Sequence, residues 1–441
     1  MAWTGRLNLA LAATLASCVA AGARADTTVT VGTVNNNDMI VMQRLSSEFE
    51  RDNPGVHVRW VTLEENVLRQ RLTVDISTNS GQFDVMTIGL FEAPMWGQSG
   101  WLVPFNDPPA GYDMDDVLKS VRDGLSYGGQ QYALPFYAES QMTFYRKDLF
   151  DKAGLSMPDQ PTWAQMGEFA KALNDPQHGV YGMCLRGKPG WGENTGQIGP
   201  VVNSYGGRWF DMDWKPQLLT EPWKKGVGLY VDLLRQYGPP GASSNGYNET
   251  LTLFVNGNCA MWVDATVAAS TLSDAKQNKA AGKVAYANPP YGIVDKGNHY
   301  LWSWALAVPK SSKVQADAKK FVYWATSKRY IDLVAKTEGV TAVPPGTRTS
   351  TYENPEYLRA APFAKLTLEN IKTADMDHPT VEPVPYRGIS FVAIPEFQGI
   401  GTRVGQEVAA AISGQKTVDA ALASAQASVE QAMRKGGYLK N

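Results

Sequence analysis

The hydrophobic pattern of the first hundred residues after position 25 alternates between two periods. Short runs rich in β-branched residues predict strands, and longer runs with apolar residues every third or fourth position predict helices. The predicted order is strand, helix, strand, helix, strand, at Thr28–Val34, Val41–Glu50, Val56–Leu63, Asn66–Thr78 and Phe83–Gly89. A β-α-β-α-β run of this kind predicts a parallel, doubly wound sheet.

The same alternation restarts further along the chain. A capping box at Thr162–Gln165 opens a helix to Leu173, and Pro222 opens a helix that ends at Tyr237. Further predicted strands lie at Tyr181–Leu185, 259–264 and 302–309, and further helices at 317–328 and Val418–Met433. We therefore predict an α/β fold of two lobes, each a doubly wound and mostly parallel sheet, joined by a hinge that the chain crosses several times. The expected lobes are 26–138 with 300–335, and 139–299 with 336–441.

The N-terminus has the layout of an export signal. An apolar run at Leu7–Ala16 precedes Ala23-Arg24-Ala25, which predicts a signal peptide at residues 1–25 with cleavage before Asp26. The segment Leu15–Cys18 also resembles a bacterial lipobox, so lipidation at Cys18 is the alternative. Either route predicts an exported, periplasmic protein.

Cleavage before Asp26 leaves two cysteines, Cys184 and Cys259, in an oxidising compartment. Both lie in apolar, strand-like stretches, which favours two separate buried residues. A disulfide between them is the alternative, because the sequence cannot supply the geometry that a disulfide requires.

Composition narrows the possible functions. The 441 residues are 44% hydrophobic and 19% charged, which allows a large core. A formal net charge of -2 offers no basic surface for nucleic acid. The four histidines are scattered without ligand spacing, so we expect no metal site, and no nucleotide-binding or catalytic motif is evident. We accordingly expect no cofactor and no enzymatic activity.

Aromatic, carboxylate and amide side chains recur at the ends of the predicted strands. Ligands of open α/β sheets bind at the carboxyl ends of strands. Aromatic rings pack on the C–H faces of polyhydroxylated ligands, and polar side chains bond their hydroxyls. The candidate ligand-binding residues are Asn36, Glu92, Glu139, Trp191, Trp262, Asp264, Trp302, Tyr386 and Arg387.

Four segments of the chain resemble extracytoplasmic solute-binding proteins of ABC sugar importers, of the maltose-binding-like type. They are FDVMTIGLFEAPMWGQSGWLVPFND, GGQQYALPFYAESQMTFYRKDLFDKAGL, LFVNGNCAMWVD and LAVPKSSKVQADAKKFVYWATSK. The second resembles the hinge signature of the family. Two shorter stretches, GKPGWGENTG and GVTAVPPGTR, resemble the members that bind mannitol or sorbitol.

The resemblance implies a monomeric clamp that closes on a small linear polyol and delivers it to a membrane permease. It places ligand contacts near Asn36, Glu92, Glu139, Asp264 and Trp302. Two alternatives stay open: a binder of a mono- or disaccharide, and a secreted carbohydrate-active enzyme, since aromatic clefts with paired carboxylates also describe glycosidases.

Overall fold

The computed structural model describes Met1 and residues 26–439; the predicted cleavage segment and Cys18 lie outside the described residues. The strands are β1 (Thr27–Val34), β2 (Val56–Leu63), β3 (Val85–Ile88), β4 (Ser126–Tyr127), β5 (Gln130–Gln131), β6 (Leu134–Glu139), β7 (Gln141–Arg146), β8 (Met261–Ala265), β9 (Val284–Ala287) and β10 (Trp302–Ala307). The helices are α1 (Asn37–Asp52), α2 (Glu65–Thr78), α3 (Glu92–Gln98), α4 (Lys119–Gly124), α5 (Lys147–Ala153), α6 (Trp163–Leu173), α7 (Asn194–Ser204), α8 (Glu221–Tyr237), α9 (Tyr247–Val255), α10 (Ala268–Ser273), α11 (Gln315–Ala325), α12 (Lys328–Thr337), α13 (Thr349–Glu353), α14 (Pro355–Ala360), α15 (Ala364–Thr373), α16 (Phe397–Ile412) and α17 (Val418–Lys435).

The first lobe is built on a five-stranded sheet in the order β2-β1-β3-β10-β6. β1 pairs in parallel with both β2 and β3, which confirms the β-α-β-α-β prediction for this part of the chain. β10 returns from far along the sequence and lies antiparallel between β3 and β6. Its antiparallel direction brings its first residue, Trp302, directly opposite Glu139, the last residue of β6. The start of β10 and the end of β6 therefore meet at one edge of the sheet.

The second lobe contains a three-stranded sheet in the order β8-β7-β9. Its strands pair antiparallel, which differs from the mostly parallel sheet that we expected there. Among the described residues of this lobe, parallel pairing occurs as isolated bridges, at Tyr181 with Cys259, Cys184 with Trp262 and Thr162 with Tyr291. The predicted strand at Tyr181–Leu185 is reduced to the first two of these bridges. The peptide N–H of Met183, between these bridges, donates to the carbonyl of Tyr237 instead.

The chain passes between the lobes directly after β6. Glu139 belongs to the first sheet, Gln141 begins β7 of the second, and only Ser140 lies between them. Ser140 is fixed there because its N–H donates to the Thr266 hydroxyl at 3.1 Å and its carbonyl accepts from the Thr266 N–H at 2.8 Å. A second passage runs from β9 to β10. The two-lobe α/β architecture is confirmed, and the exact residue bounds of the lobes stay a prediction.

Helices α7, α8, α16 and α17 pack together in the second lobe. α8 and α17 are amphipathic, with apolar residues facing this group. α7 is different, because all eleven of its residues are buried and Pro200 lies inside it. Within residues 26–439, no helix is long and apolar enough to cross a membrane.

Cys184 and Cys259 form a disulfide, with their Cα atoms 5.9 Å apart. The expectation of two separate buried cysteines is therefore wrong. The bridges at Tyr181 and Cys184 described above bring the segments together in register, which the spacing of the cysteines in the sequence does not reveal. The disulfide joins the segment before Arg186 to the segment before Asp264.

Candidate ligand-binding site

A cavity lies between the two lobes at the edge where β6 ends and β10 begins. It encloses about 520 Å³ of space between protein atoms, part of it open to solvent. Both lobes contribute to its walls. The lining residues are Asn36, Glu65, Arg69, Tyr137, Glu139, Arg186, Trp191, Gly192, Gly196, Gln197, Tyr247, Ala265, Val267, Tyr300, Trp302, Trp304 and Ser390.

One wall is a guanidinium surrounded by three indole rings. The Cζ atom of Arg69, on α2, lies 4.0 Å from the ring centroid of Trp191, 4.5 Å from that of Trp304 and 5.0 Å from that of Trp302. Cation–π attraction of this kind strengthens when the cation is removed from water, and the Arg69 side chain is only 6% exposed. Trp191 belongs to the second lobe and the other two indoles to the first sheet. The wall is therefore shared between the lobes.

Two carboxylates hold Arg69 in this position. Its Nη1 lies 2.8 Å from Glu92 Oε1, and its Nη2 lies 2.8 Å from Glu65 Oε1. Glu92 is fixed in turn, because its other oxygen accepts from the peptide N–H of Gly89 at 2.9 Å. Charge-assisted bonds on several sides leave the guanidinium little freedom to rotate. Arg69 thus presents a rigid surface to the cavity.

A second buried ion pair forms the opposite side. Arg186 bonds Asp264 through two nitrogens, with Nη2 at 2.5 Å from Oδ1 and Nε at 2.9 Å from Oδ2. Asp264 also accepts from the indole N–H of Trp262 at 3.1 Å. Arg186 lines the cavity, whereas Asp264 and Trp262 lie behind it. Burial lowers the pKa of Arg186, but the charge and hydrogen bonds of Asp264, together with other nearby acidic groups, outweigh this effect and raise that pKa, so Arg186 stays a cation.

Two polar atoms at the cavity are buried and have no hydrogen-bond partner among the residues that the structure describes. They are Glu139 Oε2 and the indole Nε1 of Trp191. Buried polar groups without a partner are costly, so atoms of this kind at a cavity are suited to bond a ligand. Burial raises the pKa of Glu139 well above its usual range; Arg186 opposes this shift and Asp264 reinforces it. Burial therefore favours the protonated, neutral form of the Glu139 carboxyl.

The structure brings four of the nine candidate residues to the cavity: Asn36, Glu139, Trp191 and Trp302. The amide of Asn36, directly before α1, donates to the hydroxyl of Tyr137 at 2.9 Å. Glu92, Trp262 and Asp264 lie one layer behind the lining, where each positions a buried arginine or its partner.

Tyr386 and Arg387 are placed elsewhere. The Tyr386 hydroxyl accepts from the peptide N–H of Trp209 at 3.0 Å, inside the second lobe. Arg387 bonds Asp377 at 2.8 Å and is 40% exposed. Neither residue lines the cavity, and Asp264 pairs with Arg186 and not with Arg387. We leave both out of the proposed ligand-contacting set.

The sequence did not point to Arg69 or Arg186, which dominate the two walls. Arg69 follows Glu65 by one helical turn, a spacing that usually indicates an exposed ion pair. The pair is buried because Trp191, Trp302 and Trp304, which are distant in the sequence, pack on Arg69 in the folded protein. Among the described residues no group of His, Cys, Asp and Glu is arranged to hold a metal ion.

Known proteins resemble this chain over most of its length. A family model for bacterial extracellular solute-binding proteins matches residues 37–331. A mannitol-binding protein of Pseudomonas aeruginosa is 57% identical over 413 residues, which cover 94% of each chain. An erythritol/L-threitol-binding protein of Mycolicibacterium smegmatis is 23% identical over 310 residues, 65% of this chain and 64% of the relative.

Solved structures agree with this relationship. A solute-binding protein of an ABC transporter from Agrobacterium vitis S4, with bound D-mannitol, superposes with a TM-score of 0.93 at 56% identity and covers 94% of this chain and 100% of its own. A ribitol complex from Agrobacterium radiobacter K84 has a TM-score of 0.81 at 24% identity, covering 92% and 99%. This second likeness shows the fold alone. The chain belongs to the family of bacterial extracellular solute-binding proteins.

Proposed function

We propose that this chain binds a linear polyol, with D-mannitol as the first candidate, and carries it to the permease of an ABC importer. The observation that supports this most directly is the cavity itself, where three indoles in edge-to-face contact lie beside the unpartnered Glu139 Oε2 and Trp191 Nε1. A polyol has a C–H face for the rings and a hydroxyl on every carbon for the polar atoms. The two relatives above 50% identity supply the identity of the candidate ligand.

Closure of the lobes would select among ligands. Most of the lining side chains are buried, so a hydroxyl or a protein group left without a partner in the closed site costs binding free energy. A site built around hydroxyl bonds therefore rejects analogues that lack one. We propose that the protein works as a periplasmic monomer, since each lobe completes the cavity of the same chain.

A ligand screen tests the proposal. Ligand at about 100 times its Kd should stabilise the folded protein by about 2.7 kcal/mol. We expect D-mannitol, sorbitol and pentitols to raise the melting temperature more than glucose, maltose or maltotriose do. Calorimetric titration of the best ligand should give one site per chain.

The same samples separate binding from turnover. Mass spectrometry after prolonged incubation should recover the polyol unchanged. A larger thermal shift with maltose would contradict the polyol assignment, and conversion of a carbohydrate into product would favour the carbohydrate-active enzyme.

A further inference from the structure

The two lobes touch across the mouth of the cavity, at the first turn of α2. Lys188 Nζ, in the second lobe, lies 2.7 Å from Glu64 Oε1 in the first. The side-chain amide of Asn66 donates to the carbonyl of Pro189 at 3.1 Å. We call the contact between 64–69 and 188–192 the clasp. It is separate from the hinge at Ser140.

Two glycines allow the clasp to form. A Cβ atom on Gly192 would lie 2.2 Å from Glu65 Oε1 and 3.1 Å from Arg69 Nη2. A Cβ atom on Gly190 would lie 2.5 Å from Asn66 Oδ1. The contacts with Glu65 and Asn66 are far shorter than van der Waals distance, and all three are with atoms of the opposite lobe. A side chain at either position would therefore oppose closure.

The atoms of Glu65 and Arg69 that a Cβ atom on Gly192 would meet have little room to move away. Glu65 Oε1 accepts from Arg69 Nε at 2.9 Å, and Arg69 is held by Glu92 and by the three indoles. Displacing Glu65 would disturb this wall of the cavity. The backbone of Gly192 is outside the left-handed region, so an alanine there is unstrained when the lobes are apart.

We propose that Gly192, with Gly190, is the positioning element for closure: the absence of side chains in this segment lets the second lobe seat against Glu65 and Arg69 and retain the ligand. The inference rests on the proposed function. Gly192, Glu65 and Arg69 also line the cavity, so the contact that positions the lobes is part of the cavity wall.

The test compares Gly192→Ala with Gly228→Ala, a control on α8 where a Cβ atom would meet no atom within 4 Å. Overpacking in a closed contact should weaken mannitol binding by about 5- to 150-fold in Gly192→Ala, and Gly228→Ala should bind as the wild type does. Small-angle X-ray scattering should show a ligand-induced decrease in the radius of gyration for the wild type and the control, and a smaller one for Gly192→Ala. Without ligand, Gly192→Ala should melt near the temperature of the wild type. A lower melting temperature would indicate that Gly192 is needed for the stability of the fold and not for closure.

Asn66→Ala tests the same contact between the lobes without introducing a steric clash. It removes the bond to Pro189, and we expect weaker binding with an unchanged melting temperature. Wild-type affinity and full compaction in Gly192→Ala would overturn the inference and leave the proposed function intact. A wild-type protein that binds no polyol would instead contradict the proposed function.

Discussion

Glu139 is the last residue of β6, and its Oε2 atom lies at the cavity without a hydrogen-bond partner among the described residues. Because burial raises its pKa well above the usual range, the closed site favours its neutral acid form. We expect Glu139→Ala to weaken mannitol binding by about 2- to 13-fold, the value of one neutral hydrogen bond. Glu139→Gln, which is neutral and of similar shape, should lose less. Calorimetric titration of both variants measures the difference.

Exposed Glu382→Gln is the matched control, and it should bind mannitol as the wild type does. Equal losses in Glu139→Gln and Glu139→Ala would show that an ionised carboxylate, and not a neutral acid, contacts the ligand.

Single residues of the site were predictable where a strand end decides their position. Asn36 follows β1, Glu139 ends β6 and Trp302 begins β10, all at one sheet edge, and the sequence pattern locates β1 and β10 well. Asp264 also lies near the end of a strand, but Arg186 stands between it and the cavity. A strand end indicates the edge on which a residue lies; it does not indicate what other side chain reaches that edge first.

At the scale of elements, the Arg186–Asp264 pair joins the loop before α7 to β8. Removing one partner of a buried ion pair leaves an uncompensated charge, which costs about 3–5 kcal/mol. We expect Asp264→Asn to lower the free energy of unfolding by about this amount. Chemical denaturation followed by circular dichroism measures it.

Asp377→Asn is the control for that variant, because it removes the partner of Arg387 in a pair that is 40% and 67% exposed. An exposed pair contributes about 1 kcal/mol or less. Similar losses in the two variants would contradict the assignment of Arg186–Asp264 as the stabilising pair.

The disulfide joins the same two segments that carry Arg186 and Asp264. Its cysteines are 75 residues apart, and closing a loop of that length stabilises a protein by about 4 kcal/mol in the chain-entropy account. Replacing both cysteines with serine should lower the free energy of unfolding by about 2–5 kcal/mol. Reductant should destabilise the wild type similarly and leave the double variant unchanged. Insensitivity of the wild type to reductant throughout unfolding would argue against the disulfide.

Among the helices, those with one face toward solvent were the predictable ones. α6 and α8 match their predicted bounds because a polar face alternates with an apolar one, and because the Thr162 cap and Pro222 mark their starts. α7 carries no such signal, since it is buried on all sides and contains glycine and proline. Hydrophobic periodicity reports a boundary between core and water, which α7 does not have.

For the molecule as a whole, we expect stability to fall as pH rises from about 6.5 to 8. Burial, followed by the charge of Glu65, raises the pKa of Glu193 to about 8, and burial raises that of Asp38 to about 7. The unfolded chain has both groups ionised in this range, whereas the folded state keeps Asp38 partly protonated up to about pH 7 and Glu193 up to about pH 8, so folding takes up protons. Each proton contributes a slope of about 1.4 kcal/mol per pH unit at most.

Below that pH range, His299 makes the stability of the fold decrease as the pH falls. Burial lowers its pKa to about 4, so protonation of the unfolded chain opposes folding as pH falls below about 6.5. Above about 6.5 it no longer contributes. Unfolding measured at pH 6.5 and pH 8.5 should therefore show a loss of stability, and Glu193→Gln should reduce it. A loss of the same size in Glu193→Gln would assign the effect to other groups.

The arrangement of Arg69 among indoles from both lobes has a consequence for observing the protein at work. Trp302 and Trp304 share the sheet of the first lobe and stay beside Arg69 when the lobes separate, whereas Trp191 leaves with the second lobe. Opening therefore exchanges the cationic surroundings of Trp191 for water and removes its ring contact with Trp302, while Trp302 and Trp304 keep Arg69 beside them. The emission of Trp191 is a built-in optical reporter of closure. Stopped-flow fluorescence could time the release of cargo without any attached dye.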